Sequence, residues 1–178
     1  MALLEAMPGT EPPPQPETHF LARLPEGVAG IRATLKYMAA LTRTYKTDPE
    51  IIALARSIVR HVPEKNIWQE CAAIHAWVRD CIRYVNDVEG VETIATPPQT
   101  LEMRAGDCDD KALLSGTLLQ AIGYKARYLA IAFDEPGAFE HVFAEVRINQ
   151  RWVPLETTEP VEFGWAPYSP FPPMIAHV

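Results

Sequence analysis

The hydrophobic pattern of this chain changes its period at Gly123, and that change limits the fold more than any other feature. Before Gly123, apolar residues recur every three or four positions, as they do along one face of an α-helix. After Gly123, they alternate with polar residues, as on one face of a β-strand. The order predicts an α+β fold, with N-terminal helices and a central helix packed on a small antiparallel sheet. The predicted helices are 27–46, 49–61, 64–84 and 108–122, and the predicted strands are 126–133, 140–148 and 151–155.

Local signals mark some of the element boundaries. Asp48 is expected to cap the second helix, whose first turn accepts Pro49. Residues 86–103 are predicted to form a loop with at most one helical turn at its end, because Pro97-Pro98 cannot continue a helix. Beyond Thr157 the aromatic residues and prolines show no period, so no regular element is predicted there.

A turn at Gly106 delivers Cys108 to the start of a strongly apolar helix, which ends at Gly123. Asp107 or Asp109 can cap the free N–H groups at that start. A helix N-terminus carries roughly half a positive charge, which favours a reactive thiolate over a thiol. Taken alone, Cys108 would more often be a small apolar residue in the core, which is the commoner role of an unpaired cysteine.

The net charge of −7 argues against a nucleic-acid partner, since nucleic-acid binding needs a basic face. No apolar run reaches the roughly 18 residues that would suggest a membrane span. The N-terminus lacks the basic region of a secretory signal peptide, which favours a cytoplasmic location.

The three cysteines predict neither a disulfide framework nor a metal site. Cys71 and Cys81 lie ten positions apart in one predicted helix, a rise of roughly 15 Å that no disulfide can bridge. Asp109 and Asp110 could form a carboxylate pair or metal site, but the preferred interpretation is that they complement the helix dipole. Lys111 is predicted to be solvated. No metal and no cofactor is expected.

The chain has 17 prolines, clustered near both ends. They predict a proline-rich N-terminal arm over 1–25, a compact domain over 26–158, and an aromatic and proline-rich C-terminal tail over 159–178. Two alternatives fit the arms equally. They could wrap neighbouring subunits of an assembly, gaining affinity at an ordering cost, or they could pack on their own domain.

Two polar residues beyond Cys108 can complete a reactive centre. His141 opens the second predicted strand, Glu156 follows the third, and a hairpin joins these strands. A cysteine, an imidazole and a carboxylate suffice for nucleophilic catalysis. Alternation places His141 on the face of Phe143 rather than that of Val142, however. Convergence therefore requires a sheet covered on both faces, or a β-bulge at the strand start.

These motifs resemble those of the transglutaminase-like superfamily. The cysteine motif is Arg104–Ala112, the histidine motif is Glu140–Val146, and the carboxylate motif is Trp152–Glu156. Segments 82–85 and 96–101 also resemble the family's approach to the cysteine. The resemblance covers roughly residues 65–160 and implies a papain-like core.

The resemblance implies that Cys108 is the nucleophile and His141 the base. Family members usually carry aspartate as the third residue, where this chain has Glu156. The backbone N–H of Cys108 is a candidate oxyanion donor, and Gln99 or Tyr84 could supply a second.

The resemblance further implies a short stand-alone member of bacterial or prophage type. Hydrolysis of a peptide or amide through a cysteine thioester is the expected function. The alternative is a structural adaptor of a phage tail or neck with an inactive or accessory thiol site. In that case the arms would contact virion subunits, and the protein would be found in the virion.

Overall fold

The computed structural model describes residues 27–63, 65–86 and 93–178, and the predicted arm over 1–25 lies outside these residues. The described part contains five helices and six strands. In chain order they are α1 (Val28–Tyr45), α2 (Pro49–Val59), α3 (Ile67–Cys81), β1 (Arg83–Tyr84), α4 (Pro97–Met103), β2 (Ala105–Gly106), α5 (Cys108–Ala121), β3 (Ala126–Ala132), β4 (Phe139–Ile148), β5 (Arg151–Leu155) and β6 (Met174–His177).

The main sheet is antiparallel, with strand order β5-β4-β3-β6, and β1 and β2 form a separate short parallel pair. Helix α5 contacts β3 and β4 on one side and the other four helices around the rest of its circumference. Every residue from Asp109 to Leu119 is therefore buried. The predicted α+β architecture is confirmed, with the cysteine-bearing helix at its centre.

Capping residues fix where the helices begin. The Asp48 carboxylate accepts hydrogen bonds from the N–H groups of Glu50 and Ile51 at 2.8 and 3.2 Å, which confirms the predicted cap of α2. Of the two candidates at α5, Asp107 is the cap, accepting from the N–H of Asp110 at 3.1 Å.

Helix α4 corrects the prediction that 86–103 is a loop. Pro97 and Pro98 occupy the first turn of α4, where no N–H is needed and the fixed φ of proline suits the helix. The side-chain oxygen of Gln99 accepts from the N–H of Thr96 at 2.8 Å, which completes the start of the helix. Proline was therefore a start signal here and not a stop signal.

The C-terminal tail also differs from its prediction, because it contains β6. Met174–His177 pairs antiparallel with β3, which makes β6 an edge strand of the main sheet. Upstream, the hydroxyl of Ser169 donates to the carbonyl of Ala132 at 2.7 Å. The tail thus packs on its own domain, as the second of the two alternatives predicted.

No helix among the described residues combines the length and the apolar character needed to cross a bilayer.

Gly116 lets α5 pack closely against Tyr128 of β3, and it gives a prediction about stability. A Cβ at this position would lie 2.8 Å from ring atoms of the buried Tyr128, and closer still to its hydroxyl. We expect Gly116→Ala to lower the free energy of unfolding by about 1–3 kcal/mol through overpacking, measured by urea denaturation. The loss caused by Gly116→Ala should be smaller in a Tyr128→Phe background, which lacks the hydroxyl that the new Cβ would meet and which by itself loses the bond to Thr42. An unchanged denaturation midpoint in Gly116→Ala would contradict this close packing.

Candidate active site

The structure brings His141 and Glu156 into direct contact. His141 lies near the start of β4, and Glu156 directly follows β5, the next strand of the sheet. The Nε2 atom of His141 lies 2.5 Å from a carboxylate oxygen of Glu156. The Glu156 side chain is fully buried, whereas that of His141 keeps 15% of its surface exposed. The imidazole therefore has one edge held by the protein and another facing the surface.

Glu156 is held as a carboxylate. Its second oxygen accepts from the backbone N–H of Thr158 at 2.7 Å and from the Thr158 hydroxyl at 2.6 Å. Burial by itself raises the pKa of Glu156, but the contact with His141 and the two bonds from Thr158 outweigh burial, so the pKa is lowered overall. The longer side chain of glutamate thus reaches the imidazole while remaining fixed at its other oxygen.

A β-bulge lies at the start of β4, directly before His141. Ile131 pairs with His141, but the next residue of β3, Ala132, pairs with Phe139, so Glu140 is an extra residue in β4. The second face of the sheet is also covered, since Leu129, Ile131 and Phe143 form a small cluster there with Ala166 of the tail. The His141 ring lies 6.0 Å from the Phe143 ring, so the imidazole lies on this covered second face, as alternation predicted.

The sulfur of Cys108 lies beside the same part of β4. It accepts a hydrogen bond from the backbone N–H of Val142, the residue after His141, and this bond lowers the pKa of Cys108. Burial raises that pKa more strongly, and the negative charges of Asp109 and Asp107 raise it further. The Cys108 thiol donates to Asp109 at 3.4 Å. The expected preference for the thiolate is therefore wrong for the free protein, because burial and two carboxylates outweigh the helix N-terminus.

Asp109→Asn should make Cys108 more reactive. Removing the negative charge lowers the pKa of the thiol, which raises the thiolate fraction at neutral pH by up to tenfold for each pKa unit. We expect a several-fold faster reaction of Cys108 with iodoacetamide at pH 7, followed by mass spectrometry of the labelled peptides. Cys71 is the internal control, because burial raises its pKa to about 12 and it lies far from the substitution in α3. Equal labelling rates of Cys108 in the two proteins would contradict the charge effect.

Tyr84 and Gln99, the two candidate oxyanion donors, occupy different surroundings. Tyr84 ends β1, keeps 44% of its surface exposed and lines the cavity beside His141. Burial raises the pKa of Tyr84, and the negative charges of Asp107 and Asp109 raise it further. Gln99 is buried in the first turn of α4, where its amide oxygen accepts both the N–H and the hydroxyl of Thr96. Of these two residues, Tyr84 is the one that lines the cavity beside His141.

His75 is a residue of this site that the sequence did not reveal. It is buried in α3, and its Nε2 lies 2.5 Å from the backbone carbonyl of Glu156. Burial lowers the pKa of His75, and a carbonyl oxygen can only accept, so a neutral imidazole donates this bond. The two residues are 81 positions apart in the chain, and no local sequence pattern predicts a contact over such a separation.

The prediction that Lys111 is solvated is wrong, because its side chain is buried. Its ammonium donates to the carbonyls of Ile82 at 2.5 Å and Arg79 at 3.4 Å, near the end of α3. Burial lowers the pKa of Lys111 to about 8, against the favourable charges of Glu156 and Asp80. The lysine links the C-terminus of α3 to the first turn of α5, behind the histidine–glutamate pair.

A cavity of about 240 Å³ opens beside the imidazole. Its lining includes two aromatic residues, the imidazole and three carboxylates: Tyr84, Phe133, His141, Glu140, Glu156 and Glu159. The Phe133 ring lies 6.4 Å from the His141 ring at an interplanar angle of 25°. The cavity is thus partly aromatic, partly acidic, and bordered by the His141–Glu156 pair.

Three consecutive residues at the start of α5 could contact a metal ion. Ligand atoms of Asp107, Cys108 and Asp109 lie within 4.8 Å of one another. A closed tetrahedral site would need a fourth ligand, and here Asp107 caps the helix while Asp109 accepts from the thiol. Asp110 has a structural task of its own, accepting the N–H of Ala95 at 2.7 Å.

A cysteine at a helix N-terminus, packed against a sheet that carries a histidine–carboxylate pair, is the arrangement of thiol enzymes of the papain type. The family model of the transglutaminase-like superfamily matches residues 52–157. The chain therefore belongs to the transglutaminase-like superfamily, as its motifs indicated. No curated protein matches this sequence.

Two solved structures share the fold. A candidate cysteine protease from Cytophaga hutchinsonii is 23% identical with a TM-score of 0.54, over 66% of this chain and 39% of that one. A candidate protease from Parabacteroides distasonis is 14% identical with a TM-score of 0.55, over 69% of this chain and 26% of that one. This chain thus corresponds to well under half of either protein.

Proposed function

We propose that this protein is a thiol hydrolase that cleaves a peptide or amide bond through a thioester on Cys108. The observation that carries the proposal is the contact of His141 with Glu156, near Cys108 at the bulged start of β4. The His141–Glu156 contact is 2.5 Å long, and the Cys108 sulfur lies against the N–H of the residue that follows His141. Family membership and the fold of the two candidate proteases support a thiol enzyme.

In the proposed reaction, the two nitrogens of His141 have different tasks. Nε2 contacts the Glu156 carboxylate, so it carries the proton, and Nδ1 is the basic nitrogen. Because burial keeps Cys108 protonated in the free protein, Nδ1 has to remove the thiol proton as the sulfur attacks the substrate carbonyl. Glu156 then stabilises the positive charge that develops on the imidazole.

Acylation and deacylation follow from these roles. The sulfur–carbon bond forms while the carbonyl oxygen becomes an oxyanion, which the N–H of Cys108 and the hydroxyl of Tyr84 would stabilise. Collapse of this intermediate breaks the carbon–nitrogen bond, and His141 gives its proton to the departing amine. Water, deprotonated by His141, then attacks the thioester carbonyl. The acid is released and the Cys108 thiol is restored.

The test is hydrolysis of an unbiased peptide mixture. New amino termini and side-chain amides converted to acids would be quantified by mass spectrometry, with hydroxylamine added to intercept the thioester as a hydroxamate. We expect new products with the native protein, and none after Cys108 has been alkylated. Failure to detect hydrolysis or hydroxamate with any peptide would refute the proposal. Products that persist after alkylation would do the same.

The adaptor function stays a prediction. Its argument rested on two arms free to wrap neighbours, and the C-terminal tail packs on its own domain.

A further inference from the structure

The cavity beside His141 has a negative rim. Glu140 and Glu159 line it with exposed carboxylates. No lysine or arginine is among the described residues that line it. Glu140 is the extra residue of the β-bulge, and its carboxylate accepts the N–H of Phe133 at 3.2 Å. This bond holds one charge at the mouth of the cavity, one residue from the proposed base.

The cavity also offers aromatic surface. Tyr84 and Phe133 both line it, and Phe133 packs near the imidazole of His141. Aromatic faces attract cations through the ring quadrupole, and nearby carboxylates add to that attraction. A positively charged group therefore suits this cavity better than a neutral or acidic one.

The position of the cavity decides which part of the substrate enters it. In the proposed reaction, His141 delivers its proton to the departing amine. The leaving-group side of the substrate must therefore lie against the imidazole, while the acyl side is bonded to Cys108. A cavity lined by His141 and Glu156 consequently receives the residue that follows the scissile bond.

We propose that this cavity selects substrates whose leaving-amine portion carries a cationic side chain, that is, a lysine, an arginine or a comparable diamino acid. The inference rests on the proposed function, which decides that the leaving-amine portion of the substrate enters the cavity. The preference for a positive charge follows from the residues that line the cavity. Acidic residues at the same position would be repelled by Glu140 and Glu159. The preference should weaken as salt screens the exposed carboxylates.

Binding to the Cys108→Ala protein tests the charge preference without catalysis. The probes are lysine amide and norleucine amide, which share the α-ammonium group and differ in side-chain charge. We expect lysine amide to bind about tenfold more tightly, a difference of roughly 1.4 kcal/mol, as measured by NMR titration. The ratio of the two dissociation constants should fall towards one when Glu140→Gln and Glu159→Gln are added to the Cys108→Ala protein. It should persist in Glu50→Gln, which removes an exposed carboxylate from α2.

Equal binding of the two probes, or a ratio unchanged by the double substitution, would overturn the inference. A parallel measurement uses the native enzyme and peptides that differ only in lysine or norleucine after the scissile bond. Cleavage of both at the same rate also overturns it and leaves the proposed hydrolysis standing. Tight binding of lysine amide without cleavage of any peptide supports the cation pocket and refutes hydrolysis instead.

Discussion

Cys108→Ala is expected to reduce kcat/KM for any hydrolysed substrate by about a thousandfold or more. The thioester cannot form without the sulfur, and loss of the nucleophile in an acyl-transfer enzyme typically leaves only the contribution of substrate binding and oxyanion stabilisation. The substitution should scarcely alter the fold, because Cys108 is the first residue of α5 and Asp107 still caps that helix. Initial rates at several substrate concentrations would measure the loss.

Cys81→Ala is the matched control. Cys81 ends α3 and, like Cys108, is partly buried and forms no disulfide. We expect its kcat/KM to stay within twofold of the native value. A Cys108→Ala protein that keeps its circular dichroism spectrum and its activity would show that another group performs the reaction. Equal loss in both variants would show that the cysteines affect folding and not chemistry.

Glu156→Gln is expected to lower kcat by about 10²–10⁴-fold with a smaller effect on KM. An amide cannot stabilise the imidazolium of His141 and can hold the imidazole in the wrong tautomer, an effect of about 10⁴ in a serine protease. The substitution preserves the size of the side chain and leaves an oxygen for the bonds from Thr158. Steady-state kinetics at a fixed pH would separate kcat from KM.

The same substitution has a signature in stability. The pKa of Glu156 is lowered in the folded protein from the usual 4.5. A carboxyl group whose pKa is lowered by folding stabilises the protein above its unfolded pKa, and that contribution is lost as the pH falls through the folded pKa. The native protein should therefore lose its advantage over Glu156→Gln in urea denaturation as the pH is lowered below about 4.5.

Glu145→Gln separates catalysis from stability. Glu145 is a buried carboxylate on the same sheet, paired with Arg127 at 2.5 Å, and it does not line the cavity. Its loss should lower stability while kcat is retained. If Glu156→Gln behaved in the same way, with lower stability and full kcat, Glu156 would be a structural carboxylate and its assigned role would be wrong.

Signals carried by neighbouring residues were readable from the sequence. Asp48 and Pro49 start α2, Cys108 starts α5, and the alternation after Gly123 marks β3, β4 and β5. Each depends on contacts within a few positions, which the order of residues determines directly.

Features that depend on distant contacts were not readable. The irregular tail supplies β6 because β3 offers it a free edge. Lys111 is buried because the end of α3 provides carbonyls, and His75 meets Glu156 because α3 and the end of β5 pack together. Within the site, the sequence could only state that His141 needed a bulge or a second covered face. The pairing of β3 with β4 shows the bulge, and the packing of Ala166 on Ile131 and Phe143 shows the covered face.

Strand β6 has a further consequence for how this protein can interact with others. Strand β6 pairs with the outer side of β3 and so satisfies backbone N–H and C=O groups there. Without β6, these groups could form hydrogen bonds with a strand of another chain. Any partner that captured these last residues would leave β3 bare. The open edge of the sheet is therefore the four-residue β6 and not the seven-residue β3, and a shorter edge offers fewer groups for pairing with another chain.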